Sequence, residues 1–237
     1  VHDQRTGLQP SLGFSIKSQL GNPSTLLNAG ETTNFIFKIE NNFLSKKDIE
    51  DINSLFIKRG KKLSRDIKGR IKAIYEKGAK LFFVNPQKQI FNNNLILIDS
   101  LLPQILASVL LQFASSSSSS VADLVKITEE ENPLNFDTTN KHLFYSYKIK
   151  RFLTDIALGM MPSKVWTGEY DATGGYLIVK ADGEILCYHI YNKNEFENYL
   201  LASTKLDTAS SSKHRFGEIY EENGELFFKL NLQIRFK

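Results

Sequence analysis

The stretch LGFSIKSQL, residues 12–20, decides the reading of the fold. Its residues alternate between apolar and polar, the period of a β-strand with one face turned toward a core. Strand geometry then points Phe14 and Ile16 toward that core and stands Ser15 and Lys17 together on the opposite face. Residues 34–39, NFIFKI, repeat the alternation, so a second strand is expected after a long polar connection over residues 21–31.

Beyond these strands, residues 45–56 (SKKDIEDINSLF) carry a Ser cap, acidic residues in the first turns, and Ile49, Ile52, Leu55 and Phe56 at helical spacing. A second amphipathic segment is expected at 63–75, a short strand at 79–84, and helices from about 90 to 113 and from 141 to 160. The six-serine run at 115–120 reads as a flexible loop, followed by a polar stretch ending at Asn132-Pro133. From Gly174 onward, GGYLIVKADGEILCYHIY is two alternating strands around Asp182-Gly183, a dipeptide that supplies the positive φ angles of a tight hairpin. A short helix at 194–202 and a strand pair, 217–220 with 226–236, complete the pattern. The expected class is α/β with α+β mixing: a central mixed sheet flanked by helices, with a helical middle region.

With 237 residues, 41% hydrophobic and 24% charged, the chain has enough apolar content to bury a core, which excludes disorder as its main state. The longest oily stretch, 95–113, is broken by Asp99, Pro103 and Gln104, so it reads as a buried helix and no membrane span is expected. Thirty Lys and Arg against twenty-six Asp and Glu leave a charge of +4, which permits a polyanionic partner without demanding one. Cys187, the single cysteine, cannot make an internal disulfide and reads as a packed core thiol in a reducing, cytoplasmic setting. The four histidines show no paired metal-ligand spacing, and no Gly-rich phosphate loop occurs. The chain opens on Val1 with polar residues and no signal-peptide pattern, and reads as the C-terminal portion of something longer.

The chemistry concentrates around residues 13–18. Asp3 lies upstream across Gly7 and Pro10, residues suited to a turn that brings it back beside the strand carrying Ser15 and Lys17. An acid followed after a turn by a polar residue, an apolar residue and a lysine resembles the PD-(D/E)xK nucleases. Phosphodiester hydrolysis needs a divalent cation against the scissile phosphate, an aligned water and a cation beside that water. The resemblance implies that Asp3 binds Mg²⁺ and Lys17 orients the water. Ser15 stands where that superfamily usually has a carboxylate, and a hydroxyl cannot replace the missing charge. The resemblance to restriction enzymes with Ser-x-Lys implies a second carboxylate from further along the chain, for which Glu31 is one candidate, although a solvated loop acid explains it at least as well.

Longer runs narrow the resemblance. GFSIKSQLGNPSTLLNAGETTNF, then GGYLIVKADGEILCYHIYNKNEFENYLLASTKLD, SSSKHRFGEIY and KLNLQIRF, are similar to the HpaII-type restriction endonucleases and fall in that family's order. The implied fold is restriction-endonuclease-like, and the implied function is a type II enzyme cutting both strands of duplex DNA at CCGG with Mg²⁺. The chain then divides into catalytic strands with their connecting loop (1–44), a helical region (45–165), and C-terminal strands with DNA-contacting loops (166–237), together one compact unit.

Reading G·C pairs in the major groove calls for Arg or Lys facing guanine. The loop 210–215 offers Lys213 and Arg215. Ser18, Thr25 and Asn28, with Asn22, Thr32 and Asn34, form a second polar set suited to phosphates, base edges or ordinary turns. Asn192 and Lys193 open a short helix whose start can receive a phosphate, although capping explains the asparagine equally well. Asp171 with Ile178-Val179-Lys180 mimics the acid and lysine spacing, but Ile178 is wrong for a place beside a metal and that hairpin reads as core. Cutting two strands requires two active sites, as in a homodimer, or two successive encounters. Against the nuclease stand two other readings: a DNA-binding module without cleavage, and a structural or protein-binding domain.

Overall fold

The computed structural model describes residues 13–18, 20, 24–40, 44–60, 62–180, 182–189 and 192–237. In chain order the elements are β1 (Phe14–Ser18), β2 (Thr25–Leu27), a 3-10 turn (Glu31–Thr33), β3 (Asn34–Glu40), α1 (Lys46–Asn53), β4 (Phe56–Arg59), β5 (Lys62–Arg65) and α2 (Ile67–Glu76). Then follow β6 (Lys80–Pro86), α3 (Gln89–Ile98), α4 (Leu102–Ser115), α5 (Val121–Glu131), α6 (Phe144–Ala157), β7 (Gly175–Val179) and β8 (Ile185–His189). The chain ends with α7 (Lys193–Ser203), β9 (Thr204–Leu206), β10 (Ile219–Glu222), β11 (Glu225–Asn231) and β12 (Ile234–Phe236).

Among the described residues the strands form four sheets, ordered β1-β7-β8, β10-β11-β3-β6, β2-β12-β9 and β4-β5. The class is mixed α/β, as expected. β1 runs parallel to β7, which is antiparallel to β8, so mixed pairing lies in that three-stranded sheet. The four-stranded sheet is antiparallel throughout. Each of the first three strands pairs with a strand from the C-terminal part of the chain: β1 with β7, β2 with β12, β3 with β11.

β3 is the center of the core because its alternation buries Phe35, Phe37 and Ile39 on one face. Opposite them in register stand Leu230, Phe228 and Leu226 of β11, and Phe91 of α3 meets Phe35 edge to face at 6.2 Å. Burying each such side chain contributes roughly 1.5–3 kcal/mol. Helix α1 forms where its cap predicts. Ser45 Oγ accepts the Asp48 amide, and Asp48 Oδ2 accepts the Ser45 amide at 2.9 Å. The Asp182-Gly183 hairpin also forms, with Gly183 at φ 86°.

Several expectations are corrected. Residues 63–75 are not one amphipathic segment: β5 pairs with β4, and Asp66 caps the start of α2 by accepting the Gly69 amide at 3.0 Å. The oily stretch divides into α3 and α4, bent by 106°, where Asp99 Oδ1 accepts the Leu101 amide and Asp99 pairs with Lys148. No single helix among the described residues is long and apolar enough to cross a membrane. The stretch after the serine run is a helix, α5, because Val121, Leu124, Val125 and Thr128 recur at helical spacing and bury one face.

Two corrections concern the sheet β1-β7-β8. Phe14 and Ile16 are exposed, Ile16 by 64%, while Ser15 and Lys17 lie on the partly buried face. The reason is pairing: Ser15 and Lys17 share a face with Tyr176 and Ile178 of β7, both fully packed, so that side is the inner one. Cys187 is exposed rather than packed. It lies on edge strand β8 in register with Leu177, on the same outward face as Ile16.

Candidate active site

β1 brings Ser15 and Lys17 to a cavity of about 570 Å³. One wall is β1 itself; the others are β2 with the turn through Thr33, the end of α6 with the loop to Ser163, and Asp171-Ala172. The Lys17 ammonium donates to the Thr25 carbonyl at 3.5 Å. Burial lowers its pKa, since a low-dielectric wall disfavours the charged form. Ser18 alternates to the outward face, where its hydroxyl accepts the Leu20 amide. Thr25 and Asn28 line the cavity with Ser15 and Lys17. Asp3 and Asn22 lie outside the described residues.

A buried amide network fixes the turn above this cavity. Asn231 of β11 donates to the Gly30 carbonyl at 2.8 Å and to Asn34 Oδ1 at 2.7 Å. Asn34 in turn donates to the His214 carbonyl and to Gln87, both at 2.9 Å. Fully buried, Asn34 is therefore scaffold and not a free group for DNA. Its bond to His214 docks the loop 210–215 beside the turn. Arg215, at φ 52°, reaches from that loop to Glu31 at 3.4 Å, while Lys213 stays exposed. Burial, followed by the charge of Lys213, lowers the pKa of His214.

Asn192 and Lys193 sit elsewhere, at the start of α7. Asn192 occupies the cap position without a side-chain capping bond. Lys193 lines a second cavity of about 270 Å³ with Arg151, Thr154, Tyr170 and Phe196; Leu158 borders both cavities. Lys193 and Arg151 flank Glu197 at 3.7 and 3.9 Å. Beside this cavity Asp155, 1% exposed, accepts the Tyr170 hydroxyl at 2.7 Å. Burial raises the Asp155 pKa, opposed by the Tyr170 bond and by the charges of Arg151 and Lys193. The folded chain thus holds this proton more tightly than the unfolded one. Its stabilising effect is full below the ordinary carboxylate value and is lost as pH rises through the raised one. Asp155→Asn, which cannot titrate, is expected to flatten that part of a melting-temperature profile against pH; an unchanged slope would assign it to other groups.

Sequence reasoning set Asp171 aside, and the structure places it on the wall of the first cavity. The triple suggested by spacing does not assemble: Ile178 is buried and Lys180 pairs with Glu184. What the sequence carried instead was a pair of glycines. A Cβ on Gly13 would lie 2.4 Å from the Asp171 carbonyl oxygen, and one on Gly159, at φ +139°, would lie 3.0 Å from Asp171 Oδ2. Gly13 also accepts the Gly174 amide at 2.7 Å, so the segment carrying Asp171 is tied to the start of β1.

A family model described as HpaII restriction endonuclease matches residues 1–236. The chain is similar to the type II restriction enzyme HpaII of Haemophilus parainfluenzae, with 55% identity over 236 residues, 100% of this chain and 63% of that relative. It therefore spans somewhat under two thirds of the relative's length. No solved structure matches.

Proposed function

The chain belongs to the HpaII restriction endonuclease family, and from that premise we propose that it hydrolyses both strands of duplex DNA at CCGG in an Mg²⁺-dependent reaction. The observation that carries this reading is the cavity that gathers Ser15, Lys17, Thr25 and Asn28 on the inner face of β1.

The donors fit a hard divalent cation. Residues with hydroxyl, amide and carboxylate oxygens line the cavity, and Mg²⁺ takes one or two carboxylates, leaving its other positions to water and substrate phosphate. That suits a site where no three His, Cys, Asp or Glu side chains gather among the described residues. Bound there, the ion would neutralise phosphate charge and favour ionisation of water. Asp3, ahead of β1, and Glu31, beside the cavity turn, are the ligands the sequence suggests. Glu31 is held by Arg215, and would be free to hold the ion if Arg215 turned to a guanine. Lys17 holds its charge beside the attacking water and the phosphate oxygen. Ser15 donates or accepts a hydrogen bond at the same phosphate without adding charge.

Recognition falls to Arg215 and Lys213, with Thr25, Asn28 and Ser18 near the active strand and Asn192 and Lys193 at the start of α7. Replacement of Arg215 by Ala is expected to cost about 1–3 kcal/mol of discrimination between CCGG and single-base variants, measured as the ratio of their cleavage rates. An unchanged ratio would move base reading away from this loop. We place the protein in the cytoplasm, acting as a homodimer that presents one site to each strand.

The test pairs a CCGG duplex with a scrambled duplex, each with Mg²⁺ or with chelator. Cutting confined to CCGG with Mg²⁺ is expected. Duplex bound but uncut would reduce the function to DNA binding, and absence of affinity at low salt, where phosphate contacts are strongest, would remove DNA as the partner.

A further inference from the structure

We propose that Asp171 supplies the carboxylate on which the divalent ion of this cavity rests, standing in for the acid that Ser15 does not provide. The inference builds on the nuclease reading of the cavity and names the source of its negative charge.

Among the described residues, Asp171 is the one carboxylate and Lys17 the one cation on the cavity wall. The Asp171 carboxylate accepts no hydrogen bond and forms no ion pair among those residues, whereas Glu31 is engaged by Arg215. A carboxylate without such a partner, on the wall of the same cavity as a lysine, offers a hard cation its oxygens. Its position is built by the backbone. The Asp171 carbonyl passes so close to Gly13 that any side chain at 13 would collide with it, and Gly159 offers its bare α-carbon to the Asp171 side chain. The Ala172 amide donates to the Leu158 carbonyl at 3.1 Å, and the Gly13 amide to Thr173 Oγ1 at 3.4 Å. These contacts hold the Asp171 backbone against Gly13, the residue just before the strand that carries Ser15 and Lys17, two elements far apart in sequence.

The experiment measures Mn²⁺ binding by titration calorimetry to the wild type, Asp171→Asn and Glu221→Gln, an exposed acid off the cavity wall, without DNA. Asp171→Asn is expected to weaken Mn²⁺ about 10–100-fold, in the range seen when a metal's supporting groups are removed, with Glu221→Gln within about twofold of the wild type. Circular dichroism melts confirm that the variants fold. A second measurement needs no variant: Fe²⁺ in the wild type, with ascorbate and peroxide, is expected to cut the chain next to residues 13–15, 159 and 171. Wild-type affinity in Asp171→Asn, no Mn²⁺ binding by the wild type, or iron cuts confined to the neighbourhood of residue 31 would each overturn the proposal. Mn²⁺ binding that depends on Asp171 in a protein that cuts no DNA would support the ion site and sink only the nuclease reading.

Discussion

Replacing Lys17 by Ala is expected to lower single-turnover cleavage of a CCGG duplex by roughly 10²–10³-fold, the loss that follows removal of one preorganised group facing transition-state charge. Binding should change far less, because duplex affinity sums over many phosphate contacts and the Lys17 ammonium already donates to the Thr25 carbonyl. In the proposed reaction, charge developing on phosphate oxygens during attack would meet this ammonium in a partly buried site, where solvent screens it less than at the surface. The measurement is cleavage at saturating enzyme beside a binding isotherm in Ca²⁺. Cleavage within threefold of wild type would remove Lys17 from the chemistry, and an equal loss in both assays would make it a DNA-binding lysine.

The second large effect concerns stability. Arg70 is fully buried and forms no salt bridge among the described residues; its guanidinium donates to backbone carbonyls. Nε donates to Leu55 at 3.1 Å, Nη1 to Gly217 at 2.6 Å and Nη2 to Asn53, with Phe56 stacked at 5.2 Å. The residue thereby joins the end of α1, the β4-β5 hairpin and the turn before β10. Arg70→Ala strands three acceptors and opens a cavity, at a cost of about 3–5 kcal/mol. For a chain of this size that is a fall of about 6–20 °C in melting temperature. A fall below about 3 °C would mean that water takes over the three carbonyls. Arg70→Lys is expected to recover only part of the loss, since an ammonium lacks the planar fork.

Arg70 also shows where sequence reading stops. In IKGRIKAIYE a helix is legible, yet nothing local says that its arginine turns inward, because the carbonyls that receive it belong to residues 53, 55 and 217. Asp171 is the same case at the site. Its spacing from Lys180 only mimics a motif, which the sequence reading set aside and which does not form, while the cavity that holds it depends on β1 lying parallel to β7. Parallel pairing between distant strands leaves no turn in the sequence to announce it.

Short-range rules were sufficient for much else. Period-two alternation identified β1 and β3, a Ser with Asp three residues on identified α1, and Asp-Gly identified the β7-β8 hairpin, because each depends on atoms within a few residues. Alternation also put Ser15 and Lys17 on one face of β1. Which face looks inward was settled by tertiary structure alone: apolar Tyr176 and Ile178 flank the polar pair and turn it toward the cavity, leaving Phe14, Ile16 and Cys187 outside. The sequence by itself determined which residues travel together; the tertiary structure decided what they meet, since burial depends on the elements that cover a surface and those come from the other end of the chain.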